Sequence, residues 1–179
     1  MNTWIALFRG INVGGKNRVP MAALRSMFES VGCKAVRTYI QSGNVVFESR
    51  FRSKRELTRR ISDATGEQFG FYPDVILLNK DEFAIAVATN PFADAISAPK
   101  TMHFFFLADS PVDFDSREMA KIAIESERYE LIGDIFYLHA PDGFGTSKLA
   151  ANIERRLGVA ATARNYSTIA NIVTLIESQ

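Results

Sequence analysis

Apolar and polar positions alternate along Thr3–Arg9, with Trp4, Ala6 and Phe8 on one face and Ile5 and Leu7 on the other, which predicts a first strand. A glycine-rich stretch follows. Pro20 suits a first helical position, and Met21, Leu24, Met27 or Phe28, and Val31 form one apolar stripe that Gly32 terminates. Val36–Gln41 alternates as a strand and Val45–Phe47 forms another, with Gly43-Asn44 between them as a tight hairpin signal. Ser53 with Glu56 three residues later reads as a capping box for a helix that turns Leu57 and Ile61 inward, and Val75–Leu78 is a fourth strand. The order is β-α-β-β-α-β.

The pattern then repeats. Asn79 with Glu82 starts a linking helix through Phe83 and Val87, closed by Asn90-Pro91. Met102–Leu107 is a strand, and Asp115 with Glu118 caps a helix carrying Met119 and Ile122. Tyr129–Ile132 and Ile135–Leu138 flank Gly133-Asp134; Thr146 opens a helix through Leu149, Ile153 and Leu157 that Gly158 stops. Val159–Ala163 is a short strand, and Ile169, Ile172 and Ile176 stripe a last helix. Tyr39–Phe47 aligns with Tyr129–Tyr137 at an offset of 90, Gly133 minus Gly43. The expected class is therefore α+β: two ferredoxin-like (alpha-beta plait) repeats with antiparallel sheets. Residues 1–78 form the first, 79–100 the linking helix and loop, and 101–179 the second with its terminal helix. Met102–Leu107 is apolar on both faces, so both faces should be covered; exposure of Phe104 and Phe105 together would contradict this.

Composition narrows the class. A 179-residue chain with 47% hydrophobic residues has enough apolar material for a core. Apolar runs are too short for a membrane helix, and Arg9 directly after Trp4–Phe8 argues against a signal peptide, so a cytoplasmic location and no membrane partner are expected. The single cysteine, Cys33, excludes an internal disulfide and a cysteine-rich zinc site. Charge is uneven. Residues 1–70 carry 12 Lys/Arg against 5 Asp/Glu, a balance of +7, while residues 71–179 carry 9 against 15, a balance of −6. Either the basic half attracts phosphates or the halves attract each other.

Topology places the loop Gly10–Val19, the turn Gln41–Asn44 and the segment Gly66–Tyr72 at one end of the first sheet. Arg9, Lys16 and Arg18 supply cations there, Asn12, Gln41, Ser42 and Asn44 supply neutral hydrogen-bonding groups, and Gly14-Gly15 expose backbone amides. Such a set suits an oxyanion, on a small molecule or a polymer. Gly10, Gly15 and Lys16 have the spacing of a Walker loop, but Asn17 stands where Ser or Thr should hold magnesium and Arg18-Val19-Pro20 delay the helix. A ligand-free glycine connection and a non-Walker anion site both stay open.

Ser147, Lys148, Arg164 and Asn165 make a second polar group. His103 among phenylalanines reads as a core histidine, His139 has Asp142 as a possible partner, and Cys33 reads as a structural thiol. Asp109, Asp113 and Asp115 read as loop charges and a cap, so neither a metal nor a cofactor is expected, and no catalytic constellation stands out. Two further readings stand beside anion binding. One is an assembly module, a homodimer through the apolar second sheet. The other is RNA binding, with Trp4 or Phe8 and Phe47 as stacking aromatics, although the basic-aromatic consensus is missing.

Phe8–Asn17 with Val19-Pro20-Met21, and then Thr38–Phe47, resemble the signature of the domain-of-unknown-function family 1697. Asn90-Pro91-Phe92, Ser147-Lys148-Leu149 and Arg164-Asn165-Tyr166 resemble its later motifs, so the resemblance runs over the whole chain. It implies a small cytosolic bacterial protein of two ferredoxin-like domains, and it implies no established activity, substrate or cofactor.

Overall fold

A computed structural model describes residues 1–112 and 114–178. The chain forms two compact units, Met1–Ile85 with Ala170–Gln179, and Ala86–Ile169. The first contains β1 (Asn2–Phe8), α1 (Met21–Ser30), β2 (Lys34–Tyr39), β3 (Asn44–Ser49), α2 (Lys54–Phe69) and β4 (Val75–Asn79). α3 (Lys80–Ala88) follows and passes into the second unit, which contains β5 (Met102–Leu107), α4 (Ser116–Ala120), β6 (Arg128–Ile132), β7 (Ile135–His139), α5 (Lys148–Leu157) and β8 (Ala161–Asn165). α6 (Tyr166–Glu177) ends the chain.

Each unit holds a four-stranded antiparallel sheet, in the order β2-β3-β1-β4 and, in parallel fashion, β6-β7-β5-β8. This is the expected duplicated alpha-beta plait, and the likeness extends to single hydrogen bonds. Phe8 N donates to Gly43 O at 2.9 Å and Leu107 N to Asp134 O at 3.0 Å; Arg9 N donates to Asp74 O at 2.9 Å and Ala108 N to Ala160 O at 2.8 Å. In both units the strand that opens the repeat is thus closed off between its hairpin tip and the approach to its last strand.

Alternation decides the cores. Trp4, Ala6 and Phe8 turn to α1 and α2 and pack with Leu24, Phe28, Phe47, Leu57 and Ile61. In the second unit Phe105 and Leu107 pack with Phe136, Leu138, Leu149 and Ile153. The other face of β5 is buried as well: Phe104 is 0% and Phe105 5% exposed, so the two faces are covered as expected. Within its unit, Phe104 meets Tyr137 edge-on at 4.9 Å and Tyr166 at 6.2 Å, and Tyr137 Oη donates to Ala86 O at 2.6 Å.

Capping sets the helix starts. Asn79 and Glu82 cap each other reciprocally, Glu82 N to Asn79 Oδ1 at 2.8 Å and Asn79 N to Glu82 Oε2 at 2.9 Å. Ser53 Oγ accepts from Glu56 N at 3.2 Å, while Glu56 turns its carboxylate to Arg60.

Four boundaries differ from the sequence expectation. The first hairpin joins through four residues, Ile40–Gly43, and Asn44 already pairs with Tyr39 in the ladder. Ser147 caps α5 in place of Thr146, its Oγ accepting from Ala150 N at 3.0 Å. α4 is a single short stretch that stops before Ile122. β8 lies two residues later than Val159–Ala163, because Arg164 and Asn165 pair with Phe104 and His103 despite their polarity.

Candidate functional site

The loop after β1 is a small hairpin of its own. Val13 and Lys16 form a bridge, Lys16 N donates to Val13 O at 3.1 Å, and Asn12 N donates to Asn17 O at 3.1 Å. Gly14 and Gly15 are the two central residues of that turn, at φ 59° and 76°. Positive φ at both central positions is what the primed hairpin turn demands and what glycine adopts without strain. α1 begins only at Met21, so the helix dipole that a Walker loop aims from its lysine is five residues removed.

Asn12 fastens this hairpin to the sheet. Its Nδ2 donates to Gln41 O at 2.7 Å and Val19 O at 3.0 Å, while its Oδ1 accepts from Val19 N at 2.8 Å. Asn12 sits at φ 55°, a left-handed conformation that asparagine tolerates better than other side chains. Ile11, buried beneath, leaves no room above Gly43: a Cβ there would lie 2.6 Å from both Ile11 Cδ1 and Phe8 Cβ. Gly43 therefore answers two demands, close approach and φ 73°.

The predicted residues divide by role. The loop and the hairpin tip are adjacent, joined by Asn12 and Gln41. Asn44 is 1% exposed and donates to Tyr39 O at 3.1 Å and Ser42 Oγ at 2.9 Å. Arg9 pairs with Asp74 at 3.3 Å. Lys16 and Arg18 are exposed, and among the described residues neither enters an ion pair. The result is a firm polar frame with two cations projecting from it.

Val13 and Tyr72 lie in segments that topology places at this end, but their exposure, and that of Ile40, had no signal in the sequence. Val13 is 65% and Ile40 52% exposed, and Ile40 holds φ 48°, a conformation strained for a β-branched residue. Tyr72 is 69% exposed, and its ring lies against Gly66 so closely that a Cβ on Gly66 would fall 2.1 Å from Tyr72 Cε1.

In the second unit, Ser147 Oγ donates to the buried Glu127 carboxylate, whose other oxygen accepts from Ile124 N at 3.0 Å. A cavity of about 400 Å³ opens beside them, lined also by Lys121, Asp142 and Lys148. Arg164 lies on the sheet face away from Ser147 and Lys148, while Asn165 pairs with His103, on the face that α5 covers. Arg164 pairs with Phe104 across the ladder and so shares its face, whereas α5 packs on the Phe105 face. Arg164 Nη1 donates to Thr162 Oγ1 at 2.7 Å, and burial lowers the guanidinium to about 10.

Burial and neighbouring groups set the state of Cys33, His103 and His139. Burial pushes the Cys33 thiol up to about 11, which suppresses its thiolate. His103 stacks on Phe144 at 3.9 Å and is depressed to about 4 by desolvation. His139 does not pair with Asp142: its Nδ1 accepts from Arg128 Nη2 at 3.1 Å, and Asp142 accepts from Ser126 Oγ at 2.6 Å. Desolvation first, then the Arg128 charge, lowers the His139 pKa. Trp4, Phe8 and Phe47 are buried on the helix side of their sheet, so the stacking platform of RNA-recognition domains is not on its surface. Asp115 caps α4 and Asp113 lies outside the described residues; among those described, no group of three or more His, Cys, Asp or Glu is placed to hold a metal ion. Nor, among the described residues, is any helix long and apolar enough to cross a membrane.

The sequence profile of the family described as "Protein of unknown function (DUF1697)" matches residues 1–137. The fold is similar to that of the conserved bacterial protein SP0830 from Streptococcus pneumoniae, with a TM-score of 0.73 and 24% identity over 97% of this chain and 98% of that one. No curated protein matches the sequence.

Proposed function

The chain belongs to the DUF1697 family of proteins of unknown function, and from that starting point we propose that the end of the first sheet binds a phosphate-bearing or other anionic ligand. The observation that carries this reading is the Asn12–Gln41 bond of 2.7 Å, which ties the glycine hairpin to the sheet hairpin. That bond holds Lys16 and Arg18 on a preorganised frame, so little loop entropy is lost when an anion arrives. Lys16 and Arg18 supply the charge, with Arg9 beside them. Gln41 and Ser42 offer polar groups at the rim, while Asn12 and Asn44 maintain the frame. The basic balance of residues 1–70, 12 cations against 5 anions, extends the attraction beyond the loop.

Tripolyphosphate at about ten times its Kd should stabilise the protein by about 1.4 kcal/mol. For a chain of this size that is a rise in Tm of about 3–6 °C. Lys16→Ala should abolish the rise while leaving the Tm without ligand within about 1 °C, because Lys16 is exposed. A Tm that tripolyphosphate leaves unmoved at low salt refutes the site.

A further inference from the structure

Charge does not account for everything at this end of the first sheet. Tyr72 stands just before Asp74, which meets Arg9, and it keeps 69% of its surface in water. Its ring is not a loose appendage. Gly66 lies inside α2, where glycine is an unfavourable residue, and any side chain there would collide with the Tyr72 ring. A helix glycine thus makes room for an aromatic side chain that nevertheless remains exposed. At the opposite side of the same sheet end, Val13 and Ile40 are also exposed, and Ile40 sits in a strained backbone conformation. A purely anion-binding site has no use for apolar surface of this kind.

The order β2-β3-β1-β4 sets the hairpin tip and the approach to β4 two to three strand spacings apart, about 10–14 Å. Arg9, at the end of β1, therefore lies between Tyr72 and Ile40, while Asn12 ties the loop that carries Val13, Lys16 and Arg18 to the hairpin. Alternating charge and ring over such a span is how proteins hold single-stranded nucleic acid: cations follow the backbone and bases stack on aromatic side chains. We propose that this surface binds single-stranded nucleic acid, with a base stacked on Tyr72 and the phosphates at Lys16 and Arg18. The proposal rests on the anion site described above and names its ligand. It differs from recognition through the sheet face, whose aromatics are buried.

The test is fluorescence anisotropy of a labelled 12-residue oligouridylate titrated with the full chain across a series of salt concentrations. Tripolyphosphate and a poly-glutamate of equal charge serve as competitors. The oligonucleotide should bind more tightly than either. Tyr72→Ala should weaken it on the order of tenfold with the salt slope unchanged, and Tyr72→Phe should restore it. Lys16→Ala should reduce the slope of log K against log salt by about 0.7. Poly-glutamate competing as well as the oligonucleotide, or Tyr72→Ala binding like wild type, overturns the nucleic-acid assignment. If tripolyphosphate still gives a Lys16-dependent thermal shift in that case, the anion site survives without it; if it gives none, both fall.

Discussion

His103 shows how one side chain links burial to the pH dependence of the whole fold. It lies in β5, stacked on Phe144, and desolvation holds its pKa near 4 against an ordinary value of 6.5. A depressed histidine prefers to be neutral in the folded state, whereas the unfolded chain takes up the proton near 6.5. Its contribution is therefore complete above pH 6.5 and is lost as pH falls toward 4, by up to about 3 kcal/mol. Urea midpoints measured at pH 7 and pH 4.5 should drop less for His103→Phe, which keeps the ring stack, than for wild type. Equal drops would remove His103 as the cause. The histidine's place among phenylalanines made this core role legible in the sequence, because a lone imidazole in an apolar strand has few other solutions.

Helix starts illustrate what a single residue can and cannot disclose. The sequence points to Thr146 as the start of α5, because local pattern alone cannot rank neighbouring hydroxyls. Tertiary structure decides in favour of Ser147, since its hydroxyl accepts from Ala150 N and donates to the buried carboxylate of Glu127. Ser147→Ala should cost about 1–3 kcal/mol in chemical denaturation, from the lost cap and the weakened carboxylate contact. Ser147→Asp should cost more than Ser147→Asn, although both are good caps in isolation, because a second carboxylate would face Glu127. The reverse order would mean that Glu127 does not govern this terminus. β8 eluded the pattern for a related reason. Arg164 is buried on the sheet face opposite α5, with its guanidinium bonded to Thr162, and a buried arginine in a strand leaves no apolar alternation to read.

At the scale of the whole molecule the duplication was the most legible feature, since the element order recurs and the hairpin glycines Gly43 and Gly133 lie 90 residues apart. In both sheets the central strands are shielded on two sides, β1 and β3 in one and β5 and β7 in the other. Amide hydrogen exchange should therefore find its slowest protons in those four strands, with β2, β4, β6 and β8 faster; slow exchange confined to one sheet would contradict equal frames. The candidate site was only half legible. Its cations and its nearness to the hairpin follow from sequence and topology. Asn12 as a clamp, Asp74 beside Arg9, and the exposed Tyr72, Val13 and Ile40 follow from three-dimensional placement, which composition does not encode.

The two frames are alike down to the tie between opening loop and hairpin. Where Asn12 reaches Gln41 in the first, the Ser110 hydroxyl reaches Asp134 in the second. Yet the first loop carries Lys16 and Arg18, and its counterpart carries Asp109, Asp113 and Asp115. The same strand order thus carries loops of opposite charge in the two halves. Grafting Gly10–Val19 onto the second half would set its cations among carboxylates, where the proposed anion would be repelled. Alike in topology, the two halves differ in sign of charge.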